Sequence, residues 1–431
     1  MKNQKDKIYE LYGLSWYYFA VFALIIIWGA LSGKLPTGMI GALPLMIVLG
    51  VILNEIGSTT PIVKSFLGGG AIVCIFGAAA LNTYHIIPKA ASATIFTFMK
   101  DGGFLNFYIA ALITGSIFGM NRKLLVKAAI RYLPAIVGGV AIAMALTGLT
   151  GAITGYGATK AILYICIPIM GGGMGAGAIP LSQIFGESLG VDPAQMLSVM
   201  VPAVALGNAM AVIAGGILNS IGKRKPSLSG NGSLMKSGNF DDDNTAADSK
   251  KREKFSLQNL GIGMLVSTAF YVAGAIINGF IPSLHTYACM ILLVALVKIL
   301  KLIPEDIEIA AYQWFQFIMK NLTTALLVGI GIAYTDLNQV AAAMSVQYLL
   351  LVASTIVGAT LGAGIVGKIV GFYPIESSIT AGLCMANMGG TGDVAVLSAA
   401  ERMELMPFSQ ISSRIGGAFM LILSSIILQF I

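Results

Sequence analysis

Apolar stretches about as long as a lipid bilayer is thick recur along most of this chain. The predicted spans lie at about 14–31, 36–53, 66–88, 104–120, 132–153, 161–185, 195–218, 258–281, 285–303, 311–334, 340–366, 373–400 and 408–431. A helix of about 20 apolar residues crosses the hydrocarbon core of a membrane. These stretches are apolar on every face, whereas the strands of a membrane β-barrel alternate apolar and polar residues. They predict an all-α polytopic membrane protein.

Composition excludes an ordinary soluble enzyme. Of the 431 residues, 57% are hydrophobic and 10% are charged, whereas a soluble domain carries about 25% charged residues. The sequence shows no paired nucleophile and base, no metal triad and no nucleotide loop of the G-x-x-x-x-G-K-[ST] kind. The net charge of +7 falls in short loops without a basic stripe of interleaved aromatic residues. We therefore expect membrane lipids around the chain, and neither a nucleic-acid partner nor a cofactor.

A polar stretch at 223–257 separates two halves with similar numbers of spans. Its Ser, Asn, Asp and Lys residues offer too little apolar surface to form a core, so we expect a flexible linker. A basic lipid-touching segment is the alternative, which the acidic residues of the stretch disfavour. With a tail and extra helix at 1–35 set aside, the halves are 36–222 and 258–431. Similar halves predict a duplication, which in transporters commonly means two inverted repeats.

Two glycine-rich runs occupy corresponding places in these halves. Residues 172–178 (GGMGAGA) align with 389–395 (GGTGDVA) at a constant offset of 217 residues. Successive glycines weaken a helix, and the backbone groups that they expose cannot face lipid. We expect two re-entrant hairpins, at 161–186 and 373–401, and the alternative is close packing of unbroken helices through small residues. With the hairpins set aside, about 11 transmembrane helices remain.

The charges between the spans predict an orientation. With the N-terminus inside, the inner loops hold Lys64, the basic residues of 122–131, those of the linker, and Lys298, Lys301 and Lys368; the outer loops keep Lys34, Lys89, Lys100 and Lys160. Positive residues accumulate on the cytoplasmic side of membrane proteins. The N-terminus and the linker are therefore expected in the cytoplasm, and the C-terminus outside.

Arg414 and Asp393 are charged residues within otherwise apolar or glycine-rich sequence. The guanidinium of Arg414 either reaches the membrane interface or offers a planar fork to a substrate carboxylate. Asp393, with Asn387 and Thr391 before it, supplies the hard oxygen ligands that suit an alkali cation, or else it caps the following helix. Polar residues within spans, Asn208 among them, are more typical of hydrogen bonds between helices.

Three segments together resemble the bacterial 2-hydroxycarboxylate transporter family: 168–177 (PIMGGGMGAG), 387–393 (NMGGTGD) and 412–417 (SSRIGG). The resemblance covers nearly the whole chain except the linker. It implies secondary transport of citrate, malate or related 2-hydroxy di- and tricarboxylates across the bacterial cytoplasmic membrane. It also implies sodium symport or precursor/product exchange by a homodimer, with an elevator-like displacement of the substrate.

The resemblance also implies which residues bind the two solutes. Substrate binding falls to Arg414, Thr391, Asn387, Gly173, Gly175, Gly390, Gly392 and Ser413. Sodium, the expected coupling ion, falls to Asp393, Asn387 and Ser412, with carbonyls near Gly172 and Met385 as further ligands.

Two positions bear on substrate and coupling. The family resemblance implies that citrate symporters have a second arginine just before the second GGxG motif. This chain has Met388 at that position. The resemblance also implies that the citrate/lactate exchangers have an asparagine where this chain has Asp393. These differences favour sodium-coupled malate symport, with sodium-independent malate or citrate/lactate exchange as the alternative. A channel is disfavoured, because paired half-sites replace a filter on a symmetry axis.

Overall fold

The computed structural model describes residues 9–60, 70–119, 122–235, 255–282, 286–335, 337–338, 341, 345–402 and 405–430, and they are mostly helical. The first half contains α1 (Trp16–Leu31), α2 (Met39–Thr59), α3 (Gly70–Thr83), α4 (Lys89–Lys100), α5 (Phe104–Phe118), α6 (Arg122–Ile153), α7 (Ala158–Met170), α8 (Ile179–Leu189) and α9 (Pro193–Arg224). The second half contains α10 (Leu257–Phe280), α11 (Thr286–Leu300), α12 (Glu305–Ala333), α13 (Val346–Ile369), α14 (Pro374–Ser377), α15 (Gly390–Ala399), α16 (Met406–Ile411) and α17 (Gly417–Ile427).

Six of the helices within the described ranges are long and apolar enough to cross a membrane, namely α2, α6, α9, α10, α12 and α13. The pair α4 and α5, which meet at a bend of 44°, is a seventh candidate. Shorter apolar helices include α1, α7 and α11. These findings confirm an all-α polytopic membrane protein, whereas the total of about 11 spans stays a prediction.

A two-stranded antiparallel hairpin precedes α1. Strand β1 (Glu10–Leu11) pairs with β2 (Leu14–Ser15), and the turn between them consists of Tyr12 and Gly13, both with positive φ. Two successive residues with positive φ give the turn whose twist suits a tight hairpin. We predicted no strand in this part of the chain, because two residues a strand are too few to show an alternating pattern.

Glycine allows α6 and α13 to pack with their backbones close together. A Cβ atom on Gly362 would lie 2.2 Å from the carbonyl oxygen of Gly138. The hydroxyls of Thr147 and Thr355 lie 2.8 Å apart between the same two helices. Small residues permit such close crossings in membranes, where no hydrophobic force drives helices together. Part of the glycine content therefore serves helix packing rather than helix breaks.

The chain divides into two compact units. The first unit contains the described residues of Met1–Lys64, Gly69–Asn106 and Ile318–Leu337. The second unit contains the described residues of Phe107–Phe317 and Asn338–Ile431. Each unit thus draws on both halves of the sequence. The boundaries of the units do not coincide with those of the proposed repeats, 36–222 and 258–431, whose inverted relation stays a prediction.

Some charges that we predicted in inner loops lie in helices instead. Helix α6 begins at Arg122, so residues 122–131 are helical. Lys298 is buried on α11, where its Nζ donates to the carboxylate of Glu308 and, at 3.0 Å, to the carbonyl oxygen of Phe118. A buried charge is tolerated when it is paired and hydrogen-bonded. Lys298 therefore serves packing, and the loop assignment was wrong for it and for 122–131. It was also wrong for Lys368 on α13, for Lys89 and Lys100 on α4 and for Lys160 on α7, which all lie in helices.

The beginning of the predicted linker is packed against the second half. Helix α9 runs to Arg224, and a short 3₁₀ turn, Pro226–Leu228, follows. The amide of Tyr373 donates to the carbonyl oxygen of Leu234 at 2.9 Å, and Met235 forms a β-bridge with Phe372. This part of 223–257 is thus not the free chain that its composition predicts. Residues 236–254 lie outside the described residues.

Candidate functional site

The first glycine run interrupts a helix, as we expected. Helix α7 ends at Met170, and after Gly171, Gly172 and Gly173 the chain resumes as a π-helical turn at Met174–Ala178. Gly172 and Gly173 have φ angles of +81° and +107°. Residues with a side chain rarely adopt these angles, so glycine is required at both positions. The interrupted helix, from the start of α7 to the end of α8, covers Ala158 to Leu189 and is slightly longer than the hairpin predicted at 161–186.

The second glycine run interrupts a helix in a comparable way. Helix α14 continues as a π-helical turn, Ser378–Leu383, and the chain is non-helical from there until α15 begins. Gly389 has a φ of +67°. Its amide donates at 2.7 Å to Oδ1 of Asn387, so a side chain satisfies the backbone where the helix is broken.

The two breaks are in contact within the second unit. A Cβ atom on Gly173 would lie 2.6 Å from the carbonyl oxygen of Met388, and Gly389 lies against the carbonyl oxygen of Gly172. A Cβ atom on Gly172 would lie 2.4 Å from the carbonyl oxygen of Ser413. The glycines therefore allow three stretches of backbone to meet at one place.

Asp393 lies buried in the first turn of α15, beside this meeting point. Its Oδ1 accepts a hydrogen bond from Nδ2 of Asn387 at 3.0 Å, and both carboxylate oxygens lie 3.1 Å from Oγ of Ser413. The same Ser413 hydroxyl lies 3.0 Å from the carbonyl oxygen of Cys384. In the described part of the chain, the carboxylate accepts from these side chains and not from the amides of α15. The helix-cap alternative thus gains no support.

Arg414 belongs to a π-helical turn, Ser412–Gly416, that joins α16 to α17. Its side chain is partly buried, and its positive charge acts on the carboxylate of Asp393. Gly417, at the start of α17, lies close to the carbonyl oxygen of Gly171, where a Cβ atom would be 2.8 Å away. The turn that carries Arg414 therefore packs directly on the first break.

Ser412 adds a further oxygen to the region. Its side chain is fully buried, and Oγ makes no hydrogen bond within the residues that the structure describes. The hydroxyl of Tyr132 on α6 lies near Ser412 and Thr380 and donates to the carbonyl oxygen of Phe408 at 3.2 Å. A buried hydroxyl oxygen that lacks a partner is costly unless a ligand or water completes it.

Most of the predicted site residues come together. The structure brings Asn387, Asp393, Ser413 and Arg414 to the place where the two breaks meet, with Gly172, Gly173 and Gly392 around them. Met385 lies beside Gly416, where a Cβ atom would be 2.7 Å from the sulfur. Thr391 lies in the first turn of α15 between Gly390 and Gly392. Gly175 has more open surroundings, because its nearest neighbour for a Cβ atom is Leu112 at 3.9 Å.

Two contributors were not predicted at the site. The carbonyl of Cys384 is a backbone group, and nothing in the sequence marks it. Asn208 on α9 accepts a hydrogen bond from the amide of Met388 at 3.1 Å, whereas we had interpreted it as a contact between helices. Its position in an apolar span was the available signal.

Comparison with known proteins gives one family. The sequence model of the 2-hydroxycarboxylate transporter family matches residues 11–426. The malate transporter MleP of Lactococcus lactis subsp. lactis (strain IL1403) is 40% identical over 100% of both chains. The citrate transporter CitP of Leuconostoc mesenteroides subsp. mesenteroides is 38% identical over 99% of this chain and 97% of its own. The Na(+)-malate symporter of Bacillus subtilis (strain 168) is 37% identical over 96% and 91%.

All three relatives are transporters or symporters by name. This confirms that the chain is a transporter and not an enzyme. It also agrees with the resemblance found in the two glycine runs and the arginine segment. The chain belongs to the 2-hydroxycarboxylate transporter family.

Proposed function

We propose that this protein is a secondary active transporter that couples the entry of sodium to that of malate or a related 2-hydroxy di- or tricarboxylate. The observation that carries the proposal is the buried cluster of Asp393, Asn387 and Ser413 beside Arg414. It places an anionic oxygen site next to a cationic one, where two broken helices meet. Such helix breaks are where transporters bind substrates and ions.

Arg414 is the proposed ligand of one substrate carboxylate. A guanidinium binds a carboxylate through two parallel hydrogen bonds, which fixes the orientation of the anion. The main-chain groups of Gly173, Gly175, Gly390 and Gly392, with Ser413 and Thr391, are the proposed partners of the remaining substrate oxygens. Backbone amides at broken helices hold anions without requiring a further positive side chain.

Sodium is the proposed second solute at this place. Hard cations prefer oxygen ligands, and the site offers the carboxylate of Asp393, the amide oxygen of Asn387 and the buried hydroxyl of Ser412. Carbonyls near Gly172 and Met385 are the proposed remaining ligands. A bound sodium ion offsets the negative charge of Asp393 and of the substrate, so each solute favours the binding of the other.

Movement of the site as one body is part of the proposal. All site residues named above belong to the second compact unit. An elevator-like mechanism requires a unit that carries the complete site across the membrane, and the presence of these residues in one unit supports the proposal. The homodimer, which the family resemblance implies, and the surrounding lipids, which the composition predicts, belong to the same proposal.

Malate is the favoured substrate, and citrate is less favoured. Met388 lies in the non-helical residues just before α15, which form the tip of the second break, and its side chain is partly buried. It brings no positive charge for a third carboxylate. The relatives named for malate and those named for citrate have similar identity to this chain. The preference therefore rests on the chemistry of position 388.

Sodium-independent exchange of malate, or of citrate for lactate, is the second candidate. Asp393 already accepts hydrogen bonds from Asn387 and Ser413 and lies within range of the charge of Arg414. A carboxylate that is stabilised in this way does not require a cation. This observation is what favours the exchanger.

Uptake of radiolabelled L-malate into proteoliposomes tests both candidates. Accumulation driven by an inward sodium gradient, lost in choline buffer, and inhibited more strongly by unlabelled malate than by citrate supports the symporter. Flux that persists without sodium and accelerates with internal lactate establishes the exchanger instead. Liposomes without protein provide the background.

A further inference from the structure

Helix α9 contacts both helix breaks at one place, Gly207 and Asn208. A Cβ atom on Gly207 would lie 3.1 Å from the side chain of Ile169, near the end of α7, and 3.5 Å from the carbonyl oxygen of Ala386. Asn208 is 2% exposed. The missing side chain of Gly207 therefore leaves room for the two breaks beside α9, and Asn208 follows directly.

The side chain of Asn208 holds the tip of the second break. Its Oδ1 accepts the amide hydrogen of Met388 at 3.1 Å. The same oxygen lies against Gly392, where a Cβ atom would be only 2.6 Å away. One carboxamide thus holds the amide of Met388 by a hydrogen bond and packs against Gly392, the residue before Asp393.

The hydrogen bond to Met388 also affects the contact between the breaks. The carbonyl oxygen of Met388 lies against Gly173 of the first break, and the next amide, that of Gly389, is held by Asn387. The orientation of the backbone at Met388 and Gly389 is therefore set by two asparagine side chains, one from α9 and one from the tip itself. Backbone groups that are oriented before the substrate arrives cost less entropy on binding.

We propose that Asn208 is a positioning residue of the transport site, which orients the main chain at Met388 and Gly392 for the anionic substrate. This inference rests on the transport function proposed above. It goes beyond a simple contact between helices, because Asn208 accepts a hydrogen bond from the backbone amide of a break. A contact between helices affects stability, whereas a positioning residue affects apparent affinity.

Two substitutions separate these roles. Asn208→Leu keeps the approximate volume but removes the acceptor, and Asn208→Asp keeps an acceptor oxygen for the amide of Met388. Asn82→Leu is the matched control, because Asn82 is an asparagine in an apolar helix of the first unit and donates to the carbonyl oxygen of Ile332 at 3.4 Å. All variants are compared as purified full-length protein that elutes as a single species.

The first readout is the exchange of backbone amide hydrogens with deuterium. We expect Asn208→Leu to accelerate exchange in the peptide that contains Met388 by roughly 3- to 10-fold, which corresponds to one neutral hydrogen bond. Asn208→Asp and Asn82→Leu should retain the wild-type exchange there. Unchanged exchange in Asn208→Leu overturns the inference. If that variant does not fold, loss of protection in Asn208→Asp overturns it and retained protection supports it.

The second readout is the kinetics of malate uptake. Asn208→Leu should raise the KM by roughly 3- to 10-fold with little change in the maximal rate, and Asn82→Leu should leave the KM unchanged. A lower maximal rate with an unchanged KM contradicts a positioning role. If the wild-type protein moves no 2-hydroxycarboxylate, the proposed function fails, and the exchange experiment still decides whether Asn208 orders the tip.

Discussion

Arg414 is the residue from which we expect the largest effect on substrate binding. It is partly buried in the turn between α16 and α17, next to the first break. A fork of two charged hydrogen bonds, each worth about 1.5–3 kcal/mol, predicts that Arg414→Ala raises the KM for malate by about 100-fold or more. Uptake kinetics at saturating sodium provide the measurement.

Arg414→Lys serves as the matched variant for this prediction. It keeps the positive charge and loses the planar fork, so we expect an intermediate KM. Both variants should elute as the wild-type species in detergent. Unfolding of Arg414→Ala would contradict the assignment and indicate that the arginine mainly pairs with Asp393.

Asp393 determines the expected response to sodium. Asp393→Asn removes the anionic ligand but keeps an oxygen in place, so we expect about a tenfold or greater increase in the sodium concentration for half-maximal uptake, or a loss of coupling. Uptake against sodium concentration measures this effect. Asp192→Asn is the control, because Asp192 caps α9 by accepting from the amide of Ala194. Equal sodium dependence in Asp393→Asn and the wild type would show that Asp393 is structural.

Met388 is the residue that we expect to select between malate and citrate. Met388→Arg places a guanidinium at the tip of the second break, where the third carboxylate of citrate needs a partner. Competition assays should show citrate inhibiting malate uptake at roughly tenfold lower concentration. Met388→Gln has a similar size without the charge and should behave as the wild type. An unchanged inhibition by citrate in Met388→Arg would mean that another position sets the preference.

Charged side chains at the site were predictable from the sequence, whereas backbone contributors were not. Asp393 and Arg414 stand out because a charge in lipid-embedded sequence needs a reason. Asn208 carries no charge, and an asparagine in a span more often joins two helices. The carbonyl of Cys384 meets Ser413 only because the helix is broken there, and the path of a broken backbone cannot be read from residue types.

A buried ion pair ties together the two ends of the second broken element. Nε of Arg402, after α15, lies 3.3 Å from Oε1 of Glu376 on α14, and their side chains are 5% and 0% exposed. Glu376 also accepts hydrogen bonds from Oγ of Ser229 at 2.7 Å and from the amide of Gly230 at 2.9 Å. The carboxylate thus holds the beginning of the predicted linker against the base of the break.

Replacement of this carboxylate should destabilise the protein strongly. Glu376→Gln leaves the guanidinium of Arg402 buried without its counter-charge, and breaking a buried pair costs about 3–5 kcal/mol. Thermal unfolding in detergent, followed by circular dichroism, measures the loss. Glu401→Gln is the control, because its pair with Lys223 is about 60% exposed on both sides and such pairs contribute little. Equal melting temperatures for Glu376→Gln and Glu401→Gln would contradict the assignment.

At the scale of elements, apolar length predicted the helices better than their ends. The helix that contains the span predicted at 132–153 begins at Arg122 in the structure, because hydropathy marks only the apolar part of a helix that lipid requires and not where the helix itself starts. The glycine runs predicted where helices break, since positive φ angles at Gly172, Gly173 and Gly389 require that residue. The π-helical turns beside the breaks had no signal, because they depend on tertiary contacts.

At the scale of the whole molecule, the sequence indicates two halves, whereas the contacts indicate two units that each combine parts of both halves. Hydropathy describes order along the chain, and the pairing of distant helices depends on side-chain packing that one sequence does not reveal. The two glycine runs illustrate this difference. Their sequence predicted a break in each half, whereas the contact between the breaks is visible only in the structure.

The orientation in the membrane is a prediction about the whole chain. The positive-inside rule predicts the N-terminus and the linker in the cytoplasm, even when the predicted loop charges that lie in helices are left out on both sides. The four native cysteines are buried, so single added cysteines can be labelled with little background. Ser32, directly after α1, and Ser227, shortly after the end of α9, are both exposed. In the predicted topology these two positions lie on opposite faces of the membrane, so labelling of Ser32→Cys and Ser227→Cys tests that topology.

We expect a membrane-impermeant maleimide, added to intact cells, to label Ser32→Cys and not Ser227→Cys. Permeabilised cells should show labelling at both positions, which controls for the reactivity of each thiol. This result would place the linker in the same compartment as the N-terminus. In the predicted topology six full spans, an even number, separate residue 227 from the N-terminus. Labelling of Ser227→Cys in intact cells, with protection of Ser32→Cys, would invert the topology and with it the direction from which each glycine run enters the membrane.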